Sequence, residues 1–397
     1  MPTFAHHDLR LLSPAYESPL IDVLQDLDYL RRQHLRGTTP LPVFLQLKRI
    51  FHLLESLASA RIEGNRTTLL ELVDAEQAPP EQLPLPGTQL LEIRNIDGAM
   101  TFIEDHIHPG EPITEQLLRH LHQLTVGGLQ PAEEGDRTPG AYRSGPVRIA
   151  QAEHLPPAHL DVPDYMGKLV AFINQDDPPK YDLMKVALAH HRFAWVHPFH
   201  NGNGRVVRLL TYAMLLKYGF IVNVAPGEQG RLLNPAAVFC ADRMRYYDML
   251  ATADAGTAAG LEAWTVFVLT GVRDEMRKVA QLADNEYLRI NVLRPAVIYA
   301  AERQALTPME AEILLMTMGR AEVKSADFTD LMRGMTDNQR TYQLRRLVER
   351  GMLQPVEPNA RRYVIGFAKG ALLPAVIRML TETGFVSDAL TGTPAAG

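Results

Sequence analysis

The stretch His197-Pro198-Phe199-His200-Asn201-Gly202-Asn203-Gly204-Arg205, with Arg208 closely following, constrains the fold more than any other part of the chain. An apolar helical run, Leu183–Trp195, leads into His197, and Pro198 stops it. Gly202-Asn203-Gly204 then opens a second helix near Arg205. Glycines around an asparagine permit positive φ and let consecutive backbone N–H groups face one concavity. That concavity lies at a helix N-terminus, where free N–H groups and the helix dipole favour anions. Arg205 and Arg208 fall on the same side of the new helix. The block therefore reads as an anion nest rimmed by two guanidinium groups, suited to a polyphosphate. His197 stands at its mouth, where an imidazole can accept a proton near neutral pH.

Most of the remaining sequence has helical periodicity. Apolar residues recur at helical spacing in Ile21–Gln33, Leu41–Glu63, Gln89–His106, Ile113–Leu124 and Val162–Asn174. They do so again in Val206–Lys217, Asn234–Ala251, Leu261–Gln281 and Tyr287–Arg303. Proline and glycine clusters at Ala78–Gly87, Gly127–Gly140, Leu155–His159 and Gln175–Lys180 separate them. Tyr142–Ala150 differs. Val147 and Ile149 alternate with Arg148 between glycines and a proline, which reads as a short hairpin or edge strand. The expected fold class is mainly α, a helical bundle with one β-hairpin.

The character changes again near Leu306. Thr307–Met318, a short helix capped by Ser325, and a helix from Thr336 with Gln339 as its capping-box partner precede two strands, Leu353–Val356 and Arg361–Ile365. Three helices and a β-ribbon make the layout of a winged helix-turn-helix. Arg340, Arg345, Arg346, Arg350, Arg361 and Arg362 could contact nucleic-acid phosphates, with Glu349 and Glu357 diluting the charge. The expected division is an N-terminal helical region over 1–95, a central domain over 96–285, a winged helix over 286–390 and a disordered tail over 391–397.

Composition sets limits. With 397 residues, two or three domains are expected. The formal net charge of −6 argues against a chain-wide polyelectrolyte for nucleic acid. Cys240 is the only cysteine, so no intrachain disulfide and no cysteine-rich zinc site can form, which fits a reducing cytoplasm. No secretory pattern opens the sequence, and the apolar stretch Leu209–Ala225 reads as a buried helix rather than a membrane span. His190 and His191, on the run before the loop, read as structural.

One acid stands out. Ser59 and Glu63 share a helical face, with Gly64 as the helix stop. A carboxylate in a last turn faces the negative end of the dipole, which hints at a cationic partner from elsewhere.

His197–Arg208 resembles the signature of Fic (Fic/Doc) proteins, which mostly transfer AMP from ATP to Ser, Thr or Tyr side chains of target proteins. The resemblance implies a Fic-type bundle with His197 as general base and Phe199 anchoring the loop in the core. It implies Gly202, Asn203 and Gly204 around the α- and β-phosphates, Arg205 on phosphate and Arg208 on the γ-phosphate. The family usually has an acid that ligates Mg²⁺ where this chain has Asn201, so Asn201 is a weak substitute and Mg²⁺ or Mn²⁺ is expected to bind less well. Residues 59–65 resemble the inhibitory motif of self-inhibited Fic proteins, on an inhibitory helix over about 41–64, which implies that Glu63 pairs with Arg208 in the γ-phosphate position. Tyr142–Ala150 resembles the target-docking flap, with Val147 and Ile149 framing the modified side chain, and Tyr247 is placed near the adenine.

The expected function is thus a self-inhibited protein adenylyltransferase with ATP as substrate and a hydroxyl-bearing protein as target. Self-modification, a homodimer and DNA contact through the winged helix remain open. The alternative is a nucleotide-sensing DNA-binding regulator whose Fic domain turns over weakly or not at all.

Overall fold

A computed structural model describes residues 4–32, 38–77, 87–150, 152–220, 222–225, 228–230, 235–357, 360–386 and 390. The expected tail at 391–397 lies outside them. The first helices are α1 (Pro19–Arg32), α2 (Leu41–Ile62), α3 (Leu69–Gln77), α4 (Thr88–His106) and α5 (Glu115–Val126). Next come α6 (Val162–Asn174), α7 (Asp182–Val196), α8 (Asn203–Lys217), α9 (Pro235–Cys240), α10 (Arg243–Asp254) and α11 (Ala258–Ala283). A small antiparallel pair, β1 (Val222–Ala225) and β2 (Glu228–Gly230), follows α8.

The centre of the bundle is built from helices buried on almost every side. From Val43 to Ile62, α2 buries sixteen residues, and α7 and α8 are similarly enclosed. A helix with no solvent face belongs in the middle of a core. Its polar residues must then find partners. His52 bonds Glu104 at 2.9 Å, and Glu104 also takes Lys48 at 2.5 Å and the Tyr212 hydroxyl at 2.6 Å. This buried network ties α2 to α4 and α8. Burial works against ionised Glu104, but the bonds from His52, Lys48 and Tyr212 prevail and hold its carboxyl down to about 2.

Pro198 and the glycines shape the α7–α8 corner, as sequence logic requires. The segment 142–150 corrects one expectation. It runs with alternating exposure, Val147 and Ile149 on the half-buried face, yet no strand pairing forms among its described residues. Pro146 has no N–H to give to a ladder, and among the described residues no neighbouring strand offers an edge. The expected helix over Asn234–Ala251 is also split, between Cys240 and Arg243.

After α11 the chain continues through α12 (Asn285–Leu288), a wider π-type turn over Arg289–Leu293, and α13 (Arg294–Glu302). Then follow α14 (Pro308–Met318), β3 (Val323–Lys324), a 3₁₀ turn at Ser325–Phe328, α15 (Asp337–Glu349), β4 (Leu353–Pro355), β5 (Arg362–Ile365) and α16 (Leu372–Glu382). Thr336 and Gln339 form a reciprocal capping box at the start of α15. The strands make an antiparallel sheet in the order β3-β5-β4, with Leu353 opposite Ile365 and Val323 opposite Tyr363. The two-residue strand β3 is too short to carry a periodic signal, and the closing helix α16, though amphipathic, is not among the expected elements.

This C-terminal unit seats on α2 through one buried glutamine. Gln46 donates to Ile365 O at 2.9 Å and accepts from Phe367 N at 2.7 Å. Gln46→Ala strands a buried carbonyl and a buried N–H, so it is expected to cost about 1–3 kcal/mol. A lower unfolding midpoint in thermal denaturation checks this; an unchanged midpoint refutes the seating role.

Candidate active site

The loop between α7 and α8 is held by its own side chains. His197 closes α7 in the left-handed region, φ 50°, with its N–H still bonded to Phe193 O at 3.0 Å. Such a conformation is uncommon for a non-glycine residue and marks a tightly determined place. Asn203 braces the loop from inside, accepting from Phe199 N and donating to Phe199 O, each at 2.9 Å. Phe199 is fully buried and stacks on His122, ring centroids 3.8 Å apart. Gly202 adopts φ 73°, and a Cβ there would press on Val126 and His122. Glycine is required on both grounds.

His122 is a keystone that sequence reasoning missed. Gly140 N donates to its Nδ1 at 2.9 Å, so Nε2 carries the proton and donates to Asn201 O at 3.2 Å. Burial pushes its pKa down to about 4. It stays neutral at physiological pH and joins the loop to the segment 136–140.

The two arginines are not free cations at a rim. Both are buried. Arg205 lies between Glu92, at 3.1 Å, and Glu134, whose carbonyl and carboxylate it reaches at 2.8 and 3.1 Å. Arg208 donates through Nε to Ser59 Oγ at 2.8 Å, and through Nη2 to Ser59 O at 2.9 Å and Glu63 Oε1 at 2.7 Å. The Ser59–Glu63 face of α2 thus clasps one guanidinium. The Glu63 carboxylate also sits against the nest, because a Cβ on Gly204 would collide with its Oε1. Burial works to raise the Glu63 pKa, but Arg208 and then Arg205 outweigh it and hold the carboxyl below the usual range. Glu134 moves the other way, raised to about 7 by burial against the pull of Arg205, with Glu92 and Glu63 adding repulsion.

Asn201 was expected as a weak metal ligand, and the structure places its amide differently. Its Nδ2 donates to Glu133 O and Gly135 O, both at 3.2 Å, and its Oδ1 accepts from Gly202 N at 2.7 Å. The amide latches the 133–136 loop to the nest. Among the described residues no group of three or more His, Cys, Asp or Glu is placed to hold a metal ion.

His197 is partly exposed, and its pKa is lowered to about 4 by burial, opposed by a bond to the Ala194 backbone and aided by Arg143. A neutral imidazole with one nitrogen free of its proton is thus available at pH 7. Tyr247 is half-buried over the end of α2, its hydroxyl 3.3 Å from Ile62 O, with Arg243 against it at 3.2 Å. Tyr246 turns inward to His190 at 3.0 Å, and His190 also meets Thr211 at 2.7 Å. His191 pairs with Asp254 at 3.0 Å, an acid distant in sequence. Val147 and Ile149 follow Arg143, which binds the loop directly, and His200 reaches Ser144 N at 3.3 Å. Neither Arg143 nor His200 was singled out by sequence, because their partners are backbone groups far along the chain.

Comparison with known proteins agrees with this geometry. Residues 112–215 match the Fic/DOC family. A Nematostella vectensis protein named "Protein adenylyltransferase Fic" is 30% identical over 206 residues, 50% of this chain and 42% of that protein. The Drosophila virilis protein of the same name is 27% identical over 202 residues, 50% of this chain and 37% of its own length. The chain spans less than half the length of these relatives. A Fic family protein from Desulfovibrio desulfuricans G20 shares the fold, with a TM-score of 0.52 and 20% identity over 91% of this chain and 98% of that one. The loop thus lies within a Fic domain, the part of the chain that matches the family. No helix among the described residues is long and apolar enough to cross a membrane.

Buried neutral histidines make stability depend on pH. His7, His122 and His197 are lowered to about 4 and His190 well below its usual 6.5, in each case mainly by burial. The unfolded chain then binds more protons below pH 6.5, so stability present above that value is lost as pH falls toward 4. Carboxyls raised by burial, Glu134 to about 7 and also Glu92, Asp182 and Glu275, oppose this, while His191, lowered by burial, and the lowered carboxyls of Glu104 and Glu63 add to it. Thermal midpoints measured from pH 7 to pH 5 are expected to fall; a flat or rising trend contradicts the buried neutral state.

Proposed function

We propose that the chain is a protein adenylyltransferase held in check by its own Glu63. The observation that carries the reading is the clasp of Arg208 by Ser59 and Glu63, with the Glu63 carboxylate lying against Gly204. A carboxylate held by a guanidinium against a helix N-terminal glycine marks a place that takes anions.

In this reading ATP is the substrate, and its terminal phosphates replace the Glu63 carboxylate on Arg208. Backbone N–H groups of Gly202, Asn203 and Gly204 receive the phosphates nearer the sugar. Arg205 contributes positive charge from behind the nest while Glu92 and Glu134 hold it. Tyr247 borders the base. The target's hydroxyl lies between Val147 and Ile149, framed by the extended 142–150 segment. His197 accepts the hydroxyl proton as the oxygen attacks the α-phosphorus, the α–β phosphoanhydride bond breaks, and pyrophosphate leaves with its electron pair. The product is an AMP ester on Ser, Thr or Tyr, and the proton rests on His197. The nest stabilises charge building on the phosphoryl oxygens. With Glu63 seated on Arg208, the triphosphate is denied its terminal anchor.

A second reading, a nucleotide-sensing regulator that binds DNA through a winged-helix C-terminal unit, has a narrower basis. Arg340, Arg350 and Arg362 are engaged by Asp337, Glu310 and Glu322 within that unit. Arg345, Arg346 and Arg361 stay exposed, and among the described residues none has an ion-pair partner.

The deciding experiment incubates Glu63→Gly and Glu63→Gly/His197→Ala proteins with α-labelled ATP. Label on protein is expected in the single variant, at least 10-fold above the parent, and absent in the double. No label in the single variant despite measured ATP binding would falsify the transferase and leave the regulator. The pH profile gives a second check. With His197 near 4, kcat/KM of the Glu63→Gly protein is expected to hold from pH 7 to about pH 5 and fall below. A midpoint near the ordinary 6.5 argues against His197 as the base.

A further inference from the structure

Arg143 takes no part in the transfer just described, yet its side chain reaches the carbonyl of His197 itself. It is buried, 3% exposed, and among the described residues no carboxylate pairs with it. A buried guanidinium without a counter-charge is costly unless its N–H groups find acceptors. Its acceptors are all backbone carbonyls. Nε donates to His197 O at 2.9 Å, Nη1 to Gly145 O at 3.1 Å, and Nη2 to Pro157 O at 2.6 Å and Val196 O at 3.4 Å. Its own backbone N–H donates to Pro198 O at 2.8 Å.

These carbonyls have a physical meaning. Those of Val196 and His197 end α7, where acceptors lack helical donors and the dipole is negative. A cation there is stabilised as if it met a diffuse anion. The same carbonyls flank the peptide units that put His197 at φ 50°. A residue persists in that region only where its surroundings over-determine it. Arg143 binds the carbonyls before, at and after His197, that of Gly145 within the extended segment and that of Pro157 beyond it.

We propose that Arg143 is a positioning residue that locks the backbone of His197 and the 144–149 segment into one frame, so that base and target hydroxyl keep a fixed relation. The inference rests on the transferase reading for its effect on turnover. It predicts a loss in the chemical step with ATP affinity retained, because neither the nest glycines nor Arg208 touches Arg143.

The test uses full-length Glu63→Gly protein with Arg143→Lys or Arg143→Gln. Lysine keeps the charge but cannot span four carbonyls; glutamine keeps neither. Both are expected to lower kcat about 100-fold, the usual scale for an ångström-size displacement of a catalytic group, with KM for ATP unchanged. After burial, the Arg143 charge helps hold the His197 pKa down. Histidine NMR titration should therefore show a higher His197 midpoint in Arg143→Gln and a native one in Arg143→Lys. Hydrogen exchange at 144–149 should quicken in both.

NMR and exchange need no turnover, so they decide the proposal even if Glu63→Gly alone carries no label and the transferase reading fails. Native kcat in a folded Arg143→Lys protein would overturn it. So would native exchange at 144–149 in both variants, or a fall in ATP affinity and thermal midpoint with an unmoved His197 titration, which would mark a general role in folding.

Discussion

Arg205 and Arg208 place two guanidinium groups inside the protein within the first turns of one helix, and the surroundings of the loop are arranged to balance them. Charge cannot be buried in isolation. Glu92 and Glu134 meet the first, and Ser59 and Glu63 meet the second. These partners come from three separate parts of the chain, and drawing them together fixes α2, α4 and the 133–136 loop around the start of α8. Asn65 adds to this by donating to Glu92 at 2.7 Å just beyond the end of α2. The start of α8, where the nest lies, is thereby anchored to α2, α4 and that loop.

A division of labour follows. Glycines and backbone N–H groups make the concavity, while side chains in and around the loop spend themselves on holding it. Asn203 and His122 brace it internally, and Asn201 latches it to a neighbouring loop. A family member with an acid at position 201 would bring charge to that place. Here the amide bonds two carbonyls, a task a carboxylate cannot perform, since it has no N–H to give. The exchange trades a negative charge for a tether.

What the sequence made legible is what local chemistry determines. Pro198 and Gly202 dictate the α7–α8 corner, Gly64 ends α2 at φ 105°, and Thr336 with Gln339 caps α15. The mainly helical fold follows from periodicity. Contacts between distant positions were legible only where resemblance to a family supplied them, as for Glu63 and Arg208. Arg143, His122, Glu92 and Glu134 were missed because their partners are backbone atoms or residues many positions away, which leave no periodic trace. The strand expected at 142–150 has the right alternation, but a strand also needs an edge to pair with, and alternation cannot report that.

Gln46 and Glu63 stand near opposite ends of the same uninterrupted helix. Seventeen residues at 1.5 Å each separate them by about 25 Å. Between them, the buried network at Lys48, His52 and Glu104 ties the same helix to α4 and α8. A tilt of about 5° over that length shifts the far end by about 2 Å, which is comparable to the full reach of a hydrogen bond. The helix that carries the 2.7 Å bond between Glu63 and Arg208 at one end thus carries the seat of the C-terminal unit near the other.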